Sequence, residues 1–203
     1  MGNEKKGIRI FLCGEFVVTS PESLPNPAAC VNSSGKYINM VFDTEYLDWI
    51  QSNLLHETTH MMEVRLNEYA TEHDLSFGNY WESVLNTSEY SYFNSYVDLP
   101  DGEEYFAGTA DGGCPDAWFI DAYAKSDCLE DRARIMEYIF QDGYAFYYED
   151  YPHIMRKAQF MCAFIREAFP SVKRLTEPVF WEARTGIVDL YEEFPDCVNG
   201  ADY

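Results

Sequence analysis

Basic residues are scarce in this chain. Lys and Arg number 14 against 35 Asp and Glu, so the net charge at pH 7 is 14 − 35 = −21 with His neutral. Phosphate contacts need clustered Lys and Arg, so the deficit removes nucleic acid from the expected partners. Long apolar runs are missing too: no stretch reaches the roughly 18 residues that suggest a membrane span. The opening "MGNEKKGIRIFLCGEF" does not read as a secretory signal, because charge and Gly14–Glu15 interrupt its short apolar core. No repeats or low-complexity linkers occur. The six cysteines (Cys13, Cys30, Cys114, Cys128, Cys162, Cys197) form no CxxC pair, which argues against a thiolate zinc finger. Their even count leaves two alternatives open: three disulfides in an oxidising compartment, or six reduced thiols.

What is present suits a globular chain. The 203 residues are 47% hydrophobic, enough for one domain with a sizeable core, and the expected domain is the whole span 1–203. Aromatics make up 17%, which can fill a core or line a groove. The segment 8–19 is β-branched and aromatic and reads as a strand broken at Gly14. Three prolines make 20–35 a loop, and "YINMVFD" (37–43) reads as a second strand.

From Asp43 or Thr44 the period turns helical, with Tyr46, Leu47, Ile50, Leu54, Met61 and Val64 at three- and four-residue spacings. This predicts a helix to about Tyr69 with a break near Ser52. Further helices are expected at the start of 76–95, over 126–150 with an end or break near Gly143, after Pro152 from His153 to Phe169, and over 177–191. The glycine-bearing stretch 99–118 reads as a connecting or functional loop. The sum is an α+β fold, a small early sheet followed by helices.

Inside the first helix stands His56-Glu57-Thr58-Thr59-His60. Two histidines four apart share a helical face, and both imidazoles can reach one metal at about 2 Å. A carboxylate next to the first histidine can take the proton of a metal-bound water. The competing reading is a solvated helix with two incidental histidines. A catalytic zinc site wants a third protein ligand. Position 63 is Glu and position 66 is Leu, so the scheme with a glycine and a third histidine in the next turns fails. The third ligand must come from elsewhere.

Downstream, "DAYAKSDCLEDRARIMEYIF" resembles a segment of the anthrax lethal factor-like zinc metallopeptidases and related zinc-binding peptidases of bacteria. In that family the HExxH motif is followed by a helix that reads Glu, then Asp, Glu or Phe, then Phe-Ala-Glu. A tyrosine lies seven residues before its first glutamate. Here that tyrosine is Tyr123, with the similar lead-in Tyr123-Ala124-Lys125-Ser126-Asp127, and that glutamate is Glu130. The resemblance covers two short segments and their order. It implies His56, His60 and Glu130 as zinc ligands, Glu57 as general base, and Tyr123 as donor to the oxyanion or the leaving amine. The pattern is broken where Arg132 replaces the phenylalanine and Arg134 the second glutamate. Asp127 to Glu130 also has the spacing of a capping box, the structural alternative for Glu130.

Other residues stand in reserve. Glu137 shares the Glu130 face and is a spare ligand or a support to one. Asp111, in "GTAD", lies one residue short of the spacing of aspartate-liganded zinc peptidases. Glu63 can orient a ligand histidine, although a solvated acid is the simpler reading. His73 and His153 read as surface histidines. The acidic loop 98–104 has oxygen ligands for calcium without EF-hand spacing.

The resemblance implies a zincin-like domain, with the site helix beneath the sheet and "YINMVFD" as the edge that pairs with an extended peptide. It implies a zinc metallopeptidase acting on a peptide or protein substrate, exported or at the surface of a bacterium, this chain then being a piece cut from a longer exported protein. The alternative is a zinc-binding or surface interaction domain on the same fold without turnover. The sequence leaves the oligomeric state open.

Overall fold

A computed structural model of the chain describes residues 7–14, 29–34, 37–87, 89–94 and 102–198. The architecture is α+β. Three strands, β1 (Gly7–Cys13), β2 (Ala29–Ser34) and β3 (Tyr37–Asp43), form one sheet of order β1-β3-β2. β1 runs parallel to β3, and β2 runs antiparallel to it with Cys30 opposite Val41. Met40 and Phe42 of β3 are both buried. Their alternation turns one face of the sheet inward, against α1 (Ile50–Glu72).

Two expectations about the sheet need correction. The loop expected over 20–35 contains β2, because pairing with β3 supplies a ladder that its Asn-Ser-Ser composition does not announce. β3 is the central strand, not an edge. β2 is the edge strand that packs beside α1. β1 stops at Cys13, before Gly14, and the rest of the expected 8–19 strand lies outside the described residues.

The chain leaves β3 through Asp43, whose Oδ1 accepts a hydrogen bond from the Glu45 amide at 2.9 Å. A 3-10 segment, Thr44–Trp49, then feeds α1. The expected break at Ser52 therefore falls between Trp49 and Ile50, and the helix continues to Glu72. α2 (Phe77–Ser83) and the single turn α3 (Glu103–Phe106) follow. α4 (Cys128–Ile139) begins at an N-cap, Asp127, whose carboxylate accepts from the amides of Leu129 and Glu130.

The helix expected over 126–150 ends at Ile139. Its remainder is a 3-10 turn and α5 (Phe146–Asp150). α6 (Pro152–Ala168) opens with proline in its first turn, where no amide is needed. Short turns α7 (Pro170–Lys173), α8 (Leu190–Glu193) and α9 (Pro195–Val198) complete the order. The single helix expected over 177–191 is instead a 3-10 turn at Phe180–Ala183 and the start of α8. Gly186, at φ 72°, breaks it between them.

The core lies among α1, α2, α4 and α6. Trp81, Ile135, Phe160 and Phe164 are fully buried there, each contributing about 1.5–3 kcal/mol through removal from water. All six cysteines are free thiols, with Cys162 and Cys197 buried. No helix among the described residues is long and apolar enough to cross a membrane.

Candidate metal centre

The face that α1 buries is polar along its first half and turns apolar only from Leu66 through Ala70, so it is not the face that the periodicity marks. Tyr46, Leu54 and Val64 are exposed, whereas His56, Glu57, Thr59 and Glu63 are buried. Burying such groups without partners is costly, so each needs a specific counterpart. α4 packs along α1 and supplies them for His56 and Glu63, while the Thr59 hydroxyl donates to the Leu55 carbonyl within α1 at 3.2 Å.

His56 and His60, one turn apart, set their rings edge to face with centroids 4.8 Å apart, and their Nε2 atoms are 3.2 Å apart. Glu130 enters from the first turn of α4. Its Oε2 lies 2.8 Å from His56 Nε2 and 3.6 Å from His60 Nε2. Ligands bound tetrahedrally at 2.0–2.1 Å stand about 3.3 Å from one another. The three separations scatter around that edge length, so His56, His60 and Glu130 form a group that can hold a metal ion. Asp127 does cap α4, accepting from the Glu130 amide, but the Glu130 carboxylate faces the histidines.

Glu137, two turns further along α4, meets the other nitrogen of His56. Its Oε2 lies 3.1 Å from His56 Nδ1, so it supports the ring from behind and does not join the converging group. Ser52 donates a short hydrogen bond to Glu137 Oε1, and Gln141 donates to Ser52 Oγ at 3.2 Å. Arg134 Nη1 donates to Glu137 Oε2 at 2.7 Å.

The two arginines that break the family pattern are both engaged. Arg132 Nε donates to Glu63 Oε1 at 2.7 Å, tying α4 to α1, and its guanidinium lies over the Phe77 and Trp81 rings. Glu63 is therefore a buried partner of an arginine, not a solvated acid. Asp131, between the two site carboxylates on α4, accepts from Lys157 Nζ at 2.7 Å and from Tyr92 Oη at 2.7 Å. Neither arginine role was foreseen from sequence. The available signal was the run Glu130-Asp131-Arg132-Ala133-Arg134, too charged for a helix packed on two others unless each charge has a buried partner.

The electrostatics follow from burial and these contacts. Burial opposes a charge on His56, but hydrogen bonds to Glu130 and Glu137 outweigh it and lift the imidazole pKa to about 9. Glu130 shows the reverse: burial would raise it, and hydrogen bonds to His56 and His60 pull it well below the carboxylate range. Glu57 is raised, first by burial and then by the Glu130 and Glu137 charges, against the opposing pull of the histidines. The Tyr123 ring centre lies 5.9 Å from that of His56, and burial together with the Glu130 carboxylate pushes its phenol upward.

The other residues singled out from sequence lie elsewhere. Asp111 accepts a short hydrogen bond from the Tyr147 hydroxyl and is outside the group. His73 stacks on Tyr69 at 3.9 Å. His153 stacks on Trp118 at 3.6 Å and pairs with Asp116 at 3.0 Å. In the acidic loop, positions 98–101 lie outside the described residues, and Glu103 and Glu104 begin α3. Comparison of the chain with family models, with curated proteins and with solved structures found no match.

Proposed function

We propose that the chain is a zinc-dependent metallopeptidase of zincin-like fold, with His56, His60 and Glu130 as its zinc ligands. The observation that carries this is the convergence of His56 Nε2, His60 Nε2 and Glu130 Oε2, with Glu57 beside the first histidine. Two histidines and a carboxylate are a set that catalytic zinc uses, leaving a fourth position for water. Bound zinc supplies Lewis acidity: it lowers the pKa of a coordinated water to about 7 and polarises the scissile carbonyl.

The chain's own residues do the rest. Glu57 takes the proton of the attacking water, and its upward-shifted pKa brings it closer to the operating range of a general base. Tyr123, with its phenol held protonated, donates a hydrogen bond to the developing oxyanion. Glu137 fixes the tautomer of His56 by occupying Nδ1 and leaving Nε2 for metal. β2, as the edge strand beside α1, takes the place of β3 as the strand that pairs with an extended peptide.

Metal analysis and a peptide library test this reading. About one zinc per chain and broad cleavage are expected. Glu57→Gln should abolish cleavage, a loss of at least about a hundredfold, while zinc stays bound. Cleavage that survives Glu57→Gln sinks the mechanism. Zinc binding without any cleavage identifies instead a metal-holding domain without turnover.

A further inference from the structure

Arg134 contacts more of the centre than any single partner explains. Its Nη1 donates to Glu137 Oε2 at 2.7 Å, and Glu137 in turn lies 3.1 Å from His56 Nδ1. Its Nε lies 3.1 Å from Asp121 Oδ2, an ion pair in which the N–H is not aimed at the oxygen. Its Cζ sits 4.8 Å from the centre of the Tyr123 ring and 5.5 Å from that of Tyr138. A guanidinium can do all this at once because it is planar, with donors at its edge and two faces that stack on rings.

We infer that Arg134 is a positioning residue that couples the metal group to Tyr123. Through its edge it holds Glu137 against His56 and so sets the ring that presents Nε2. Through its face it seats the Tyr123 ring, 5.9 Å from His56. One side chain thus orients both a ligand and the proposed oxyanion donor. The inference rests on the reading of the group as a hydrolytic zinc centre, and it adds a residue that the HExxH helix does not contain. A clamp serving stability alone would have no reason to join those two particular partners. The Arg166–Glu182 pair, which ties α6 to the turn at Phe180–Ala183, serves as the comparison for such a clamp.

The test uses the full chain as wild type, R134K, R134M, Y123F, the R134K/Y123F double variant and R166M. Zn2+ affinity is read by competition with a chromophoric chelator, ligand geometry by the visible spectrum of the Co2+ form, and turnover on the best-cleaved library peptide. R134M should bind Zn2+ about 10- to 100-fold more weakly, the loss expected when the support of a ligand histidine is removed. R134K keeps a cation facing Glu137 and should hold Zn2+ within about threefold of wild type. It lacks the plane that seats Tyr123, so its kcat should fall as far as that of Y123F with KM unchanged, and adding Y123F to R134K should cost nothing more. R166M should lose thermal stability with no change in Zn2+ affinity.

Wild-type Zn2+ affinity and an unchanged Co2+ spectrum in R134M overturn the inference. So does a Y123F effect on kcat of equal size in the R134K and wild-type backgrounds. If R134M does not fold, R134K and its double variant decide. A wild type that binds Zn2+ and cleaves nothing overturns the hydrolytic reading and the Tyr123 half with it, while R134M still decides the His56 half.

Discussion

His56 carries two opposed demands. Without metal it is clasped by Glu130 at Nε2 and Glu137 at Nδ1, and those contacts favour the imidazolium. The folded-state pKa, about 9, lies above the ordinary histidine value of 6.5, so its stabilising contribution is complete below about pH 6.5 and is lost as pH rises through about 9. Chelator-treated protein should therefore lose stability between those values, by up to about 3 kcal/mol from this group. Urea unfolding at pH 6.5 and pH 9.5 measures it. His56→Gln should flatten the dependence, and a dependence that survives that change assigns it to other groups. Metal binding must displace the same proton, so affinity should rise across the same interval.

Between α1 and α4 the ion pair of Glu63 with Arg132 does what apolar contact does elsewhere in the core. Removing one partner leaves a buried charge, so Glu63→Gln should cost about 3–5 kcal/mol in denaturant unfolding. Glu63→Leu combined with Arg132→Met should recover most of that, since well-packed apolar replacements of buried pairs are often neutral or stabilising. A double variant as unstable as the single one would show that the pair itself, rather than the unpaired charge, holds the helices together. This arrangement also explains what the sequence could tell. The helical period around His56 was legible, as were the caps and prolines that begin α4 and α6. The buried face of α1 was not, because hydrophobic periodicity marks apolar side chains, and before Leu66 the buried ones here are polar. β2 was illegible for a related reason: its strand state depends on its partner β3, not on its own residues. Glu130 was reachable only through the family pattern, and Glu137 only as a residue of the same helical face. What separated their roles was which ring nitrogen each one meets, a tertiary fact.

Across the whole molecule the acidic excess is large, at −21, yet four of the 14 basic residues sit where chain segments meet. Arg132, Arg134, Lys157 and Arg166 all pair with carboxylates in the interior or at its margin. Each of these cations is withdrawn together with a carboxylate, so the pairs cancel and the exterior keeps the full acidic excess. Long-range attraction would then favour basic peptides as substrates of the proposed enzyme.

The centre is also divided unequally along the chain. Two of its donors are a single helical turn apart, while Glu130 lies 74 residues from His56. In a refolding chain the first pair is present as soon as α1 coils, and the third arrives only when α4 docks. A Co2+ ion added during refolding would therefore act as a clock for docking. Helical circular dichroism should recover first, and the visible absorption of the fully coordinated ion should follow in a slower phase. Simultaneous recovery of both signals would place the docking of α4 in the same kinetic step as the formation of α1.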